Sequence, residues 1–169
     1  MVMRHGSNRL SDLGLVKNPA WKEGNRIMAK LERSITINAP VEKVFAYIED
    51  PMNELEWLPS TIEVKDVNGQ GVGTHSRFAY KIVGIRFEGE STITEHVPNK
   101  RIVTESKGGI ASTWTWTFQP QDDGTRLSVV VDYTIPIPVL GKIAEAFVLR
   151  QNEREADLAM ANIKGRLEG

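Results

Sequence analysis

The sequence predicts an α+β domain in which one antiparallel sheet packs against a long C-terminal helix. Two observations predict this fold class. Residues 62–135 alternate between apolar and polar side chains in short segments separated by turn-forming residues, a pattern typical of antiparallel strands. Residues 140–169 instead have a composition that favours helix throughout. Six strands followed by one helix are therefore expected over most of the chain.

The segment before residue 62 predicts one further strand and two short helices. Residues 31–38 alternate as a strand does, and the following stretch "APVEKVFAYIEDP" places its apolar residues at helical spacing. Pro51 ends that helix, and a second short helix over 52–57 ends before Pro59. The expected sheet thus has seven strands, with both short helices between strands 1 and 2.

Five turn signals separate the six later strands. They lie at 68–73, 83–84, 98–100, 108–109 and 119–124. The first contains "GQGVG", which superficially resembles a phosphate-binding glycine loop. It leads into a strand, whereas a dinucleotide site needs a helix N-terminus, so a hairpin turn is the better interpretation.

The stretch "STWTWTF" at 112–118 places two tryptophans and a phenylalanine on one face of a strand, because side chains alternate with a period of two. A turn centred on residues 122–123 fixes the partners of this strand in the next one. The expected pairs are Ser112 with Tyr133, Trp114 with Val131, Trp116 with Val129, and Phe118 with Leu127. Each aromatic side chain therefore meets an apolar partner.

The hairpin around residues 83–84 gives a second aromatic face. Its expected pairs are Tyr80 with Phe87, Phe78 with Gly89 and Ser76 with Ser91 on one face, and Arg77 with Glu90 on the other. Gly89, Ser91 and Ser112 are too small to fill the space beside such large rings. The sequence leaves open whether the helix or a ligand fills that space.

The C-terminal helix carries two apolar stripes that point in different directions. The first contains Val139, Leu140, Ile143, Ala146 and Phe147, and the second contains Leu149, Ala156, Met160, Ile163 and Leu167. The stripes change over in the polar segment 150–157, which predicts a bend or break there. A straight helix with an imperfect stripe is the alternative.

Residues 1–29 are interpreted as a basic, disordered tail or leader, which leaves 30–169 as the folded domain. The tail holds Arg and Lys in excess of acidic residues, lacks sustained periodicity, and lacks the apolar region of a secretory signal. Met28 resembles an alternative start, and an organelle leader is the less favoured interpretation.

Composition excludes several classes of function. A chain of 169 residues has the size of one domain, and a net charge of -1 gives no reason to expect a nucleic-acid partner. The sequence has no cysteine, which excludes disulfides and thiolate nucleophiles and fits a cytoplasmic location. No apolar run approaches the roughly 20 residues that a membrane-spanning helix needs.

Few inward-facing residues are suited to catalysis, and no metal site is predicted. His75 and His96 are assigned to the outer face of the sheet. Tyr80, Tyr133 and Ser112 are weak catalytic candidates, because phenols and alcohols have pKa values far above neutrality. Each hydroxyl could instead serve only to satisfy a buried polar group. Glu95 or Glu105 could supply an acid only if the strand registers differed from those expected.

The order of elements resembles the START-like (SRPBCC) superfamily, which includes polyketide cyclases and dehydratases and lipid-transfer domains. The motifs "ITINAPVEKVFAYIEDP", "WLPSTIEV", "GVGT" and "STWTWTFQPQDDGTRLSV" carry the resemblance, which covers residues 31–168. It implies a helix-grip fold, in which a curved seven-stranded antiparallel sheet wraps around the C-terminal helix and leaves a cavity. The implied ligand-binding residues are Trp57, Phe78, Tyr80, Phe87, Ser91, Ser112, Trp114, Trp116, Phe118, Val131, Tyr133, Leu140, Ile143 and Phe147.

This resemblance favours binding or transport of an apolar small molecule such as a lipid, a quinone or a polyketide-like aromatic. No cofactor is expected. A cyclase or dehydratase that uses the same cavity is the first alternative, although the absence of an obvious inward acid or base argues against catalysis. A protein-interaction module that uses the basic tail or an outer patch is the second.

Overall fold

A computed structural model describes residues 20–24, 26–82, 84–108, 110–136 and 141–169. They form one antiparallel sheet of eight strands with three helices. The strands are β1 (Ala20–Glu23), β2 (Arg26–Ile37), β3 (Thr61–Asn68), β4 (His75–Ile82), β5 (Ile85–Val97), β6 (Arg101–Lys107), β7 (Ala111–Gln121) and β8 (Gly124–Pro136). The helices are α1 (Val41–Glu49), α2 (Glu54–Trp57) and α3 (Gly141–Glu168). The predicted α+β class and element order are confirmed.

The sheet order β1-β2-β8-β7-β6-β5-β4-β3 makes β2 to β8 the seven predicted strands. The eighth is β1, a four-residue edge strand that pairs antiparallel with the start of β2. The boundary predicted after residue 29 therefore falls inside β2. Ile27 and Ala29 are buried in the core, because the apolar alternation of β2 continues upstream of Leu31. The rest of the predicted tail, residues 1–19, lies outside the described residues.

Both predicted hairpin registers are confirmed. Trp114 lies opposite Val131 and Trp116 opposite Val129 in the β7–β8 pair. In the β4–β5 pair, Phe78 lies opposite Gly89, and the side chains of Ser76 and Ser91 share a hydrogen bond of 2.9 Å. The period of two, combined with a correct turn centre, was sufficient to fix which side chains share the inner face.

A β-bulge in β5 overturns the assignment of His96 to the outer face. The register with β6 shifts between Ile93 and Glu95, and His96 consequently lies opposite the buried Ile102. One extra residue reverses the inward and outward alternation downstream of the bulge. The imidazole of His96 packs edge-on against Phe45, with ring centroids 5.1 Å apart.

The two short helices cover one end of the sheet. Helix α1 buries Val44, Phe45 and Ile48. Asp50 then accepts a hydrogen bond from the backbone N–H of Met52 (3.0 Å), and this cap starts a 3₁₀ turn that leads into α2. The chain is thereby redirected so that α2 faces α3.

Helix α3 runs as one continuous helix from residue 141 to residue 168, so a break at 150–157, one of the two irregularities predicted there, is not found. Five of its described side chains are buried, namely Val148, Ala159, Met160, Ile163 and Leu167. Phe147, assigned to an inward stripe, is instead 54% exposed. A continuous helix keeps one stripe in phase, and Phe147 lies off that stripe.

Among the described residues, no helix is long and apolar enough to cross a membrane. The same part of the chain contains no group of three or more His, Asp or Glu side chains that could hold a metal ion.

Candidate functional site

A cavity of about 170 Å³ lies between the inner face of the sheet, α2 and α3. Nine of the residues predicted to contact a ligand line it, namely Trp57, Phe78, Tyr80, Ser91, Ser112, Trp114, Trp116, Val131 and Tyr133. They come from α2, β4, β5, β7 and β8, elements that are distant in sequence. The cavity therefore depends on the hairpin registers described above.

Three tryptophans form one wall of the cavity. Trp114 and Trp116 lie with ring centroids 6.0 Å apart at 24°, because both project from the same face of β7. Trp57 meets both rings nearly edge-on, at 6.1 Å from Trp114 and 5.6 Å from Trp116. Trp57 is 5% exposed, and its indole N–H has no hydrogen-bond partner in the described structure. The wall is rigid and apolar, but it retains one unused donor.

A tyrosine and a serine that line the cavity place polar groups beside this wall. The hydroxyl oxygen of Tyr80 accepts a hydrogen bond from the backbone N–H of Ile110 (2.8 Å), and Trp114 donates its indole N–H to Ser112 (3.1 Å).

The space expected beside Gly89 is occupied by Phe78. A Cβ atom added to Gly89 would lie 2.7 Å from Cζ of that ring.

Both cavity tyrosines are poor acids at neutral pH. Burial raises the pKa of Tyr80 and of Tyr133 above the usual value, while hydrogen bonds with Ile110 and Asn152 act in the opposite direction. A phenol with a raised pKa donates a proton less readily, so these hydroxyls are better suited to orienting a ligand.

Three residues predicted to bind a ligand do not line the cavity. Phe118 is buried against Phe45 under α1, with centroids 5.0 Å apart, because β7 extends beyond the cavity. Phe87 stacks on Tyr80 with ring centroids 5.4 Å apart but is not among the residues that line the cavity. Phe147 is exposed. Leu140 and the side chain of Ile143 lie outside the described residues.

Three glutamates that were not predicted as site residues also line the cavity, namely Glu49, Glu54 and Glu155. Glu54 accepts a hydrogen bond from the Thr61 hydroxyl (2.8 Å), and burial raises the pKa of its carboxyl above the usual value. Glu155 accepts from the backbone N–H of Ser60 (2.6 Å). Glu54 and Trp57 are three positions apart on one helix, and this spacing places both side chains on the same side of α2. Since Trp57 was predicted to contact a ligand, the spacing could have identified Glu54 as well.

We expect Glu54→Gln to stabilise the domain in a pH-dependent way. A carboxyl whose pKa is raised by folding contributes stability at low pH, and that stability is lost as the pH rises through the folded-state pKa. The neutral amide avoids this loss. The variant should therefore melt about 2–4 °C higher than the parent at pH 8 and at the same temperature near pH 3.

Thermal denaturation followed by circular dichroism at both pH values measures this difference. Glu32→Gln, at an exposed position on β2, is the matched control and should show no pH-dependent gain. An equal melting temperature of Glu54→Gln and parent at pH 8 would contradict the prediction.

A curved sheet that grips one long helix around an aromatic cavity defines the helix-grip class of proteins. Residues 28–168 match the family described as polyketide cyclase/dehydrase and lipid transport. The chain belongs to this family, and the resemblance inferred from the sequence motifs is confirmed.

Solved structures with the same fold share little sequence with this chain. A protein from Thermus thermophilus superposes with a TM-score of 0.72 at 21% identity, over 82% of this chain and 96% of that one. The Zhui aromatase/cyclase from Streptomyces sp. R1128 superposes with a TM-score of 0.70 at 18% identity, over 83% and 94%. An uncharacterised 17.2 kDa protein of Streptomyces lincolnensis is 25% identical over 134 residues, which cover 77% of this chain and 86% of that protein.

Proposed function

We propose that this protein binds an apolar small molecule, such as a lipid, a quinone or a polyketide-like aromatic, in the cavity between the sheet, α2 and α3. The observation that carries the proposal is the wall of three tryptophans, whose ring centroids are 5.6 to 6.1 Å apart. Large planar side chains around a cavity offer a flat ligand extensive van der Waals contact.

The size and the polarity of the cavity support a binding role. Its volume of about 170 Å³ is comparable with that of apolar cavities of about 150 Å³ that bind benzene. Ten of the residues that line it carry a hydroxyl group, and several of these hydroxyls are engaged with protein partners, as with Tyr80 and Ser112. Such groups orient a ligand, while the apolar wall contributes most of the affinity.

Trp114→Ala is expected to weaken ligand binding by roughly tenfold or more, because it removes an aromatic contact of ~1.5–3 kcal/mol from the wall. Native mass spectrometry of the purified protein identifies a co-purifying apolar compound. Titration of that compound, or of an apolar dye, against tryptophan fluorescence then gives the affinity. Phe87→Ala removes an aromatic side chain outside the cavity and should leave the affinity unchanged. Equal affinities of Trp114→Ala and the parent for every such compound would overturn the proposal.

A second candidate function is a cyclase or dehydratase that uses the same cavity, and Glu54 is the observation that favours it. Its carboxyl lines the cavity, and burial raises the pKa of this group above the usual value, which makes it a candidate for proton transfer to a bound substrate. The family description also includes cyclase and dehydrase activities. Conversion of a bound polyketone by the parent protein would favour this function. Loss of conversion without loss of binding in Glu54→Gln would assign this carboxyl a catalytic role.

A further inference from the structure

Five neighbouring strands, β4 to β8, each contribute one hydroxyl group to the same cross-strand row on the inner face of the sheet. The residues that lie opposite one another in this row are Ser76 and Ser91, Ser91 and Ser106, Ser106 and Ser112, and Ser112 and Tyr133. All five side chains line the cavity. This hydroxyl row gives the cavity a polar strip beside its apolar wall.

Two members of the hydroxyl row accept hydrogen bonds from the protein and keep their own protons. Ser112 accepts from the indole N–H of Trp114 (3.1 Å). Asn152 forms a hydrogen bond that lowers the pKa of the Tyr133 phenol, as a donor to the phenol oxygen does. Among the described residues neither hydroxyl has an acceptor for its proton. Both O–H groups are therefore available to donate to a ligand.

Two further donors of the cavity lining are also unused. The hydroxyl oxygen of Tyr80 accepts from the backbone N–H of Ile110 (2.8 Å), which leaves its proton without an acceptor among the described residues. The indole N–H of Trp57 is buried and has no partner in the described structure. A buried donor without an acceptor carries a desolvation penalty, and an acceptor atom on a ligand is one means of removing it.

Ser112 and Tyr133 lie at the edge of the wall of three tryptophans. Ser112 precedes Trp114 by two residues on the same face of β7. Tyr133 lies opposite Ser112 and follows Val131, the partner of Trp114, by two residues. Directly opposite side chains on neighbouring strands have Cβ atoms about 4.5–5.5 Å apart. A ligand that packs on the Trp114 ring therefore lies beside both hydroxyl-bearing residues.

The charged side chains of the cavity disfavour an anionic acceptor. They belong to Glu49, Asp50, Glu54 and Glu155, and no Lys, Arg or His among the described residues lines the cavity. Glu155 and Glu54 accept hydrogen bonds from the consecutive residues Ser60 and Thr61, and they form an acidic end of the cavity. A carboxylate or phosphate in the cavity would lose its hydration and face like charges in a medium of low dielectric constant. An uncharged oxygen acceptor avoids both costs.

We infer that Ser112 and Tyr133 form a donor subsite for an uncharged carbonyl-type oxygen, so that the cavity takes a neutral oxygenated ligand in preference to the corresponding carboxylate. The inference rests on the proposed function, since it specifies the class of ligand for the same cavity. It favours a ketone, an ester or a quinone over a free fatty acid or another acidic lipid. The wall of three tryptophans contacts the apolar body of that ligand.

Isothermal titration calorimetry with three matched probes tests this inference. Tetralin, α-tetralone and tetralin carboxylic acid share one bicyclic body, and they differ in carrying no polar group, a carbonyl and an anionic carboxylate. Tyr133→Phe and Ser112→Ala are each expected to weaken the binding of α-tetralone by roughly threefold to tenfold, which corresponds to the net value of one hydrogen bond. Tetralin cannot form this bond, so its affinity should change by less than about twofold in either variant. The carboxylic acid should bind the parent protein at least about tenfold more weakly than α-tetralone does.

Tyr47→Phe is the matched control for the loss of a phenol hydroxyl. The Tyr47 hydroxyl donates to Glu56 (3.0 Å), and Tyr47 does not line the cavity. This variant should leave the affinities for all three probes unchanged. Unchanged binding of tetralin by Tyr133→Phe and Ser112→Ala also shows that these variants fold with the cavity intact.

The outcomes separate this inference from the proposed function. If tetralin binds but neither variant weakens α-tetralone more than tetralin, the donor subsite is wrong and the apolar binding site stands. Binding of the carboxylic acid as tightly as α-tetralone would overturn the preference for an uncharged ligand and would also leave the apolar site standing. Binding of none of the three probes to the parent protein would overturn both this inference and the proposal that the cavity takes aromatic ligands.

Discussion

Replacing Trp116 with Ala is expected to lower the free energy of unfolding by about 3–5 kcal/mol, the usual cost of deleting a large aromatic side chain from a core. Trp116 is 4% exposed, and its ring contacts those of Trp57 and Trp114. Its truncation would enlarge the cavity and remove the surface on which α2 rests. Urea denaturation followed by circular dichroism measures the loss.

Trp114→Ala is the matched comparison for this variant. Trp114 lies two residues away on the same strand but is only partly buried. Its replacement should destabilise the domain clearly less than that of Trp116 while weakening ligand binding. Equal denaturation midpoints for the two variants would contradict the prediction that Trp116 contributes more than Trp114 to the stability of the domain.

Gly124→Ala is expected to destabilise the domain by roughly 2–4 kcal/mol, because two separate effects oppose a side chain there. Gly124 has φ +142°, a conformation that residues with a Cβ rarely adopt. An added Cβ would also collide with the carbonyl oxygen of Ile37 and lie 3.0 Å from Cα of Asn38. Since both contacts are with backbone, the strain at the start of β8 cannot be relieved by a rotamer change.

Gly165→Ala provides the control for the glycine substitution. Gly165 lies in α3, and a Cβ added there meets no atom within 4 Å. Alanine favours helix over glycine, so this variant should be stabilised by about 0.5–1 kcal/mol. Parallel chemical denaturation should move the two midpoints in opposite directions, and a tolerated Gly124→Ala would contradict the description of the β7–β8 turn.

The alternation of side chains along the strands, together with the position of each turn, was enough to predict the registers of two hairpins. The β7–β8 and β4–β5 registers follow from a period of two and a turn centre, which placed Trp114, Trp116 and Tyr80 correctly on the inner face. The register shift between Ile93 and Glu95 has no comparable signal in a single sequence. The shift places the side chain of His96 on the inner face of the sheet, because one inserted residue changes which side chains point inward after the bulge.

The acidic end of the cavity was missed for a different reason. Glu54 and Glu155 lie on α2 and α3, and their inward placement depends on how two helices meet across a long sequence separation. Helical periodicity describes one helix at a time and does not predict that contact. Phe147 was assigned to the inner face because the start of α3 was expected to pack separately from the rest of the helix. In the continuous helix its side chain is exposed instead.

The hydrogen bond from the backbone N–H of Ser60 to Glu155 joins the end of α2 to α3 across 95 residues of chain. Asn162 reinforces the same junction through the carbonyl oxygen of Trp57 (3.2 Å). A backbone amide proton exchanges with deuterated solvent only after its hydrogen bond opens. The exchange rate of the Ser60 amide therefore reports how often this end of the cavity separates from the helix.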